Sequence, residues 1–195
     1  KRLSGIETVM LTLGESDNIV DATGFDGDIT VLAGGGNDMV TGGDGNDFID
    51  GGAGDDTMRG LAGNDTLLGD AGADRFYGGD GADRVEGGVG NDTMNGGAGH
   101  DVLLGGAGDD GLSGWTGDDY LNGHSGNDTI LGLVGDDKLM GGRGNDIVLG
   151  GDGDDRINGN AGRDTVAGNA GNDFIRDPIE EVDESFTFYA EWVDT

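Results

Sequence analysis

Residues 42–50 read GGDGNDFID, residues 51–59 read GGAGDDTMR and residues 60–68 read GLAGNDTLL. The three stretches share one skeleton: glycine first and fourth, aspartate sixth, an apolar residue eighth. Followed outward, the skeleton runs from Ala33 to Arg176 as sixteen consecutive nonapeptides without insertion or deletion. The first position is glycine everywhere except Ala33, the fourth is always glycine, and the eighth is always apolar, from Val40 and Ile49 to Ile175. The second position is looser, with Leu61, Asp70, Trp115, His124, Leu133, Asn160 and Asn169 in place of glycine. A fixed short period of this kind marks a repeat architecture.

Each column has a physical reading. Glycine at a fixed place marks backbone that needs positive φ, or a close approach that a Cβ would block. Two or three such places within six residues describe a tight turn. The last three residues of the repeat then form a short extended stretch. Its middle residue points inward, and positions seven and nine, such as Thr57 and Arg59 or Arg84 and Glu86, face solvent. Turn and strand repeated make an all-β solenoid in which two nonapeptides form one coil. Sixteen nonapeptides give about eight coils, a stack roughly 40 Å long at the ~4.8 Å spacing of paired strands.

Composition narrows the partners. Of 195 residues, 46 are glycine, one is proline and 33% are hydrophobic, so a conventional core would be thin. Forty acidic against ten basic residues give a formal charge of −30. That charge argues against nucleic acid and anionic lipid, both polyanions, and for cations. The chain has no cysteine, which excludes disulfides and thiolate zinc sites. No apolar run approaches the ~20 residues of a membrane span, and no secretory signal is visible. The chain opens on Lys1, as expected of a processed product or an excerpt of a longer protein.

The sixth position carries the chemistry. It is aspartate in all sixteen repeats: Asp38, Asp47, Asp56, Asp65, Asp74, Asp83, Asp92, Asp101, Asp110, Asp119, Asp128, Asp137, Asp146, Asp155, Asp164 and Asp173. Residues 18 apart lie one above the other in such a solenoid, so the aspartates form two ladders. Carboxylates at strand spacing repel unless a cation sits between them, and glycine turns aim several carbonyl oxygens at one place. About six to eight oxygens suit a hard cation, Ca²⁺ better than Mg²⁺ because it tolerates irregular geometry. Sixteen repeats contain fourteen vertical pairs. One Ca²⁺ in each would add about +28, close to cancelling the chain's own charge.

The nonapeptide GGxGxDxUx, with U apolar, is the calcium-binding signature of RTX (repeats-in-toxin) proteins, and residues 33–176 resemble an RTX β-roll. One GGxGxD would be a weak match in a glycine-rich chain; sixteen in register are specific. The resemblance implies a right-handed parallel β-roll with each Ca²⁺ between one turn and the next on the same side. It implies that Asp38 and Asp56 share one ion, Asp47 and Asp65 the next, and so on to Asp155 with Asp173, about fourteen sites in all. Backbone oxygens would come from positions such as Gly34, Gly36, Gly51 and Ala53. The fourth-position set is Gly36, Gly45, Gly54, Gly63, Gly72, Gly81, Gly90, Gly99, Gly108, Gly117, Gly126, Gly135, Gly144 and Gly153. The resemblance further implies export by the type I route and folding on extracellular calcium, hence an extracellular or cell-surface location.

The ends depart from the pattern. Residues 24–32, GFDGDITVL, keep Gly24, Gly27 and Val31 but carry Ile29 at the sixth position, so this segment is expected to be solenoid without a standard calcium site. TVMLTL and DNIVDA further upstream have strand character, and residues 1–32 are expected to form an N-terminal cap. Pro178 ends the repeat. Residues 177–195, with Phe186, Phe188, Tyr189 and Trp192, are expected to be an aromatic C-terminal cap, because an open solenoid end needs one, or a docking tail.

Other chemistry is poorly supported. Gly123-His124-Ser125-Gly126-Asn127 lacks the last glycine of a nucleophile elbow and lies in a repeat turn. His100 and His124 are isolated turn substitutions, and no zincin, P-loop or EF-hand motif is present. No catalytic residue is expected. Three functions remain: a calcium-folded structural module serving as scaffold, spacer or export aid; a self-assembling surface or filament protein; and the accessory roll of a secreted enzyme. The length and both ends suit a self-contained unit, which favours the first two. Outward apolar positions, Val102, Leu104, Tyr120 and Met140 on one face and Leu131, Ile147 and Leu149 on the other, form a candidate self-association surface, as does the aromatic tail. Without calcium the chain is expected to be unfolded or molten, since each coil buries only about two apolar side chains against the entropy of ordering it.

Overall fold

The computed structural model describes residues 8–176. These residues hold nineteen strands, from Thr8–Thr12 to Phe174–Arg176, and no helix. Alternate strands belong to opposite sheets, one of ten strands and one of nine, each in sequence order. All pairings are parallel, and Ile49 aligns with Val31 on one side and Leu67 on the other. The all-β parallel solenoid is therefore borne out, with 18 residues per coil through the repeat region.

The stack begins upstream of the first full repeat. Thr8–Thr12 pairs with Asp28–Gly35, and Ile19–Asp21 pairs with Met39–Thr41. Here the register steps by 20 residues, Thr8 to Asp28 and Ile19 to Met39. The solenoid thus has about nine coils, one more than the sixteen nonapeptides alone provide. The aromatic segment 186–192 lies outside the described residues.

Position eight fills the interior. Val31, Ile49, Leu67, Val85, Leu103, Leu121 and Leu139 stack from one sheet, and Val40, Met58, Phe76, Met94, Leu112, Ile130 and Val148 from the other; none is more than 1% exposed. These stacked apolar side chains form most of the core of the described residues, joined near its N-terminal end by Ile29 and Ala33, as the alternation of inward and outward residues in a strand requires.

The strands are longer than three residues. Thr57–Ala62 covers positions seven to nine of one repeat and one to three of the next, and most other strands repeat that span. The chain stays paired through the first glycine and bends at the second position, where φ is positive: 93° at Gly52, 87° at Leu61 and 80° at Trp115. All seven non-glycine residues at the second position adopt this left-handed backbone. The tight turn is left to positions four to six, with positive φ again at the fourth-position glycine, as at Gly81 (139°). The first-position glycine serves a different need. A Cβ on Gly78 would collide with Asp83 Oδ2 and the carbonyl oxygen of Gly96, so glycine there makes room rather than a turn.

Candidate metal centre

The turns bring the sixth-position aspartates into the two expected ladders, and they are buried. Asp38 through Asp155 are no more than 3% exposed and Asp164 is 5% exposed. Each carboxylate closes the turn below it in the stack: Oδ1 of Asp56 accepts the backbone N–H of Asp38 at 2.7 Å, and Oδ1 of Asp65 accepts that of Asp47 at 2.8 Å. The bond recurs in all fourteen pairs, ending with Asp155 N–H to Asp173 Oδ1 at 3.1 Å. The two aspartates of every anticipated pair are therefore in direct contact through one carboxylate oxygen and one amide.

The second oxygen is different. In Asp38, and in each aspartate from Asp56 to Asp155, Oδ2 is buried and accepts no hydrogen bond within the protein. A buried carboxylate oxygen in that state costs free energy on the order of 1–3 kcal/mol or more. From Asp56 to Asp155 these oxygens face the space beside the first-position glycine of their own repeat. A Cβ on Gly105 would collide with Asp110 Oδ2 and would itself lie 2.8 Å from the carbonyl oxygen of Gly123, one coil on. The same convergence of Oδ2 with a first-position carbonyl recurs at Gly123, near Asp128 Oδ2 and Gly141 O, and at Gly150, near Asp155 Oδ2 and Gly168 O. Carboxylate oxygen beside backbone carbonyl is the donor set of a hard cation. The fourth-position carbonyls run in a parallel column, each against the α-carbon of the next coil's glycine, as Gly36 O lies against Gly54.

Asp47 supplies an internal contrast. Its upstream ladder neighbour is Ile29, not aspartate. Here Oδ1 accepts the N–H of Ile29 at 2.9 Å and Oδ2 accepts the N–H of Gly43 at 2.8 Å. Both oxygens of Asp47 are therefore satisfied, whereas at Asp38, whose upstream neighbour is Asn18, only Oδ1 is.

Electrostatics follow from burial. Desolvation raises the carboxyl pKa of Asp65, Asp74, Asp110 and Asp119 from 3.8 to about 7. It raises those of Asp56, Asp83 and Asp137 to about 6. Hydrogen bonds from the neighbouring coil's amide oppose the shift, and ladder neighbours add to it, as Asp92 and Asp56 do at Asp74. Such groups resist carrying charge unless a cation offsets it. Among the described residues, no three acidic or histidine side chains converge on a point. An ion here would thus draw on two aspartates at most and take its remaining oxygens from the backbone.

A second ladder, absent from the reading of the sequence, runs outside the first. The fifth-position side chain accepts the N–H of the fifth residue in the next coil: Asn46 Oδ1 from Asn64 at 2.8 Å, Asp109 Oδ1 from Asn127 at 2.7 Å, Asn127 Oδ1 from Asn145 at 2.9 Å. Its polarity is opposite to that of the sixth-position ladder. His100 joins it, with Nδ1 accepting the N–H of Asp118 at 2.8 Å. The signal was present in the sequence: twelve of sixteen fifth positions are Asn or Asp. His124, in contrast, stands at the second position with φ of 71° and takes no part in either ladder.

A family model, the RTX calcium-binding nonapeptide repeat, matches the chain in overlapping windows from residues 23–58 to 140–175, which together span residues 23–175. No curated protein matches it.

Proposed function

The chain belongs to the family of RTX calcium-binding nonapeptide repeats, and from that premise we propose that it is a secreted structural module whose folding is driven by calcium, serving as scaffold, spacer or export-linked folding domain. The residues fit the ion. Asp38 with Asp56, Asp47 with Asp65, and onward to Asp155 with Asp173 would supply the carboxylates, and the glycine-rich turns the carbonyl oxygens. Bound calcium supplies the positive charge that dehydrated, mutually repelling carboxylates lack. The protein's own part is to stack those carboxylates at strand spacing, to hold each by one amide through Oδ1, and to exclude water from Oδ2.

The observation that carries the proposal is the run of buried Oδ2 atoms without a hydrogen-bond donor, repeated from Asp56 to Asp155. Native proteins almost never leave such groups unsatisfied, and these recur with the period of the fold. Metal binding energy then becomes folding energy. Extracellular calcium sites bind at about 10⁻⁴ to 10⁻³ M, so a chain tuned to that range stays unfolded in a calcium-poor cytosol. A structural role is supported by the matched family, which is the repeat itself, and by the burial of the aspartates in the stack.

Small-angle scattering tests this. Metal-stripped chain should have a radius of gyration near the ~47 Å of an unfolded chain of this length, contracting to about 16 Å with millimolar calcium. A compact particle in chelator would refute calcium-driven folding.

A further inference from the structure

The structure assigns a self-pairing surface: we propose that two copies of this chain associate face to face through the outer side of the sheet that contains Thr93–Ala98, Gly111–Thr116, Thr129–Val134, Ile147–Asp152 and Thr165–Ala170. The proposal needs the folded roll and so rests on the calcium reading above.

In a chain of net charge −30, these five adjacent strands carry one charged residue, Asp152, at their edge. The five strands opposite, from Arg84–Val89 to Arg156–Ala161, carry Arg84, Glu86, Lys138, Arg143 and Arg156. The acidic residues gather in the turns instead. Two copies repel wherever turns meet, and the uncharged face is where they can approach without burying an unpaired charge.

The face is apolar and shaped to receive itself. Leu131 lies beside Leu149, and Thr129 beside Ile147, forming a ridge; Ile147 is 45% exposed. Abutting the ridge is a groove between Leu131 and Tyr77, floored by Asn95, Ser113 and Gly111, which has no side chain; Tyr77 belongs to the next strand, Arg75–Asp80, and Arg59 stacks on its ring. A twofold axis between Gly111–Thr116 and Thr129–Val134 lays each copy's ridge over the other's groove, the self-complementarity an isologous dimer requires.

Trp115 and its register partner Leu133 extend the face. They are 51% and 37% exposed. Both hold positive φ, 80° and 82°, at a position where Gly97 and Gly151 serve on either side. Bulky side chains adopt that backbone at a cost, and neither fills the core. The same backbone occurs at Leu61 and His124 outside the face; what sets Trp115 and Leu133 apart is that they are stacked on adjacent strands of the uncharged face, where a second copy would cover them. The face measures roughly 20 Å by 20 Å from strand spacing and rise. Two such faces bury about 800 Å² in total, below the ~1,000 Å² of a stable interface, so the dimer is expected to be weak and reversible.

The test is sedimentation velocity of the calcium-loaded chain from about 1 μM to about 1 mM, the range such an interface calls for. The parent should show a monomer–dimer equilibrium. Leu131→Lys combined with Leu149→Lys should weaken it by about 100-fold or more, because symmetry buries each new charge twice. Leu104→Lys, on the opposite sheet, should leave it unchanged. A folded monomer at every concentration overturns the proposal and hands the face to a different molecule. Dimerisation that survives the double substitution, or that yields to Leu104→Lys alone, also overturns it. Far-UV circular dichroism on the same samples separates the two ideas: absence of β-structure at saturating calcium refutes the calcium reading and the interface with it, whereas β-structure in a monomer refutes only the interface.

Discussion

Acidification should move the metal-free chain and its calcium affinity in opposite senses. Asp65, Asp74, Asp110 and Asp119 have folded-state pKa values of about 7 against 3.8 for an exposed carboxyl, because burial disfavours their charge. A raised folded pKa means that the folded state binds more protons than the unfolded state between about pH 4 and 7. The associated stability is complete below the unfolded value and is lost as pH rises through the folded one. Metal-free protein should therefore gain β-structure between pH 8 and pH 4.5. Calcium needs the ionised form, so at pH 5.5 a carboxyl with pKa about 7 should weaken its site about 30-fold. The assay is circular dichroism of metal-stripped protein against pH, with calcium titrations at pH 8 and pH 5.5. A metal-free signal flat from pH 8 to 4.5, together with one calcium midpoint at both pH values, would refute the picture of buried, charge-resisting carboxylates.

Substitutions test the ladders separately. Asp101 touches both Asp83 and Asp119 in the stack, whereas Asp173 touches Asp155 alone among the repeat aspartates; by equilibrium dialysis Asp101→Ala should remove two calcium equivalents and Asp173→Ala one. Gly78→Ala would drive its Cβ against Asp83 Oδ2 and Gly96 O, and denaturant unfolding in calcium should show a loss of about 2–3 kcal/mol. Leu133→Gly releases a positive-φ leucine and should raise stability by up to about 1 kcal/mol in the same assay, through the strain it removes. Ala73→Asn would complete the outer ladder beneath Asn91 and should stabilise by about 0.5–1 kcal/mol, the net value of one hydrogen bond.

The repeat made much of this legible. The eighth column announced the core, and Val40 to Val148 fill it as its invariance implies. The sixth column announced stacked carboxylates, and the 18-residue step places them so. Other features were harder to see because one residue type answers two different needs. Glycine at positions one, two and four looks alike in sequence, yet Gly78 is needed for space and Gly79 and Gly81 for positive φ. Strands therefore ran on to position three where a turn was expected. The outer ladder was overlooked because Asn and Asp at position five pass for ordinary turn residues; only the stacked coils reveal that Asn46 and Asp109 each cap an amide 18 residues on. The neutral face was partly legible, since the 18-residue coil puts Leu131, Ile147 and Leu149 on one side; its lack of charge emerges only when whole strands of that sheet are set side by side.

The measurement that bears most directly on calcium-driven folding is a far-UV circular dichroism titration of chelator-stripped protein with Ca²⁺, with Mg²⁺ as the control. A calcium-folded roll predicts a cooperative coil-to-β transition near millimolar calcium and no transition with magnesium. Full β-structure before any calcium is added, or an equal response to magnesium, would contradict it.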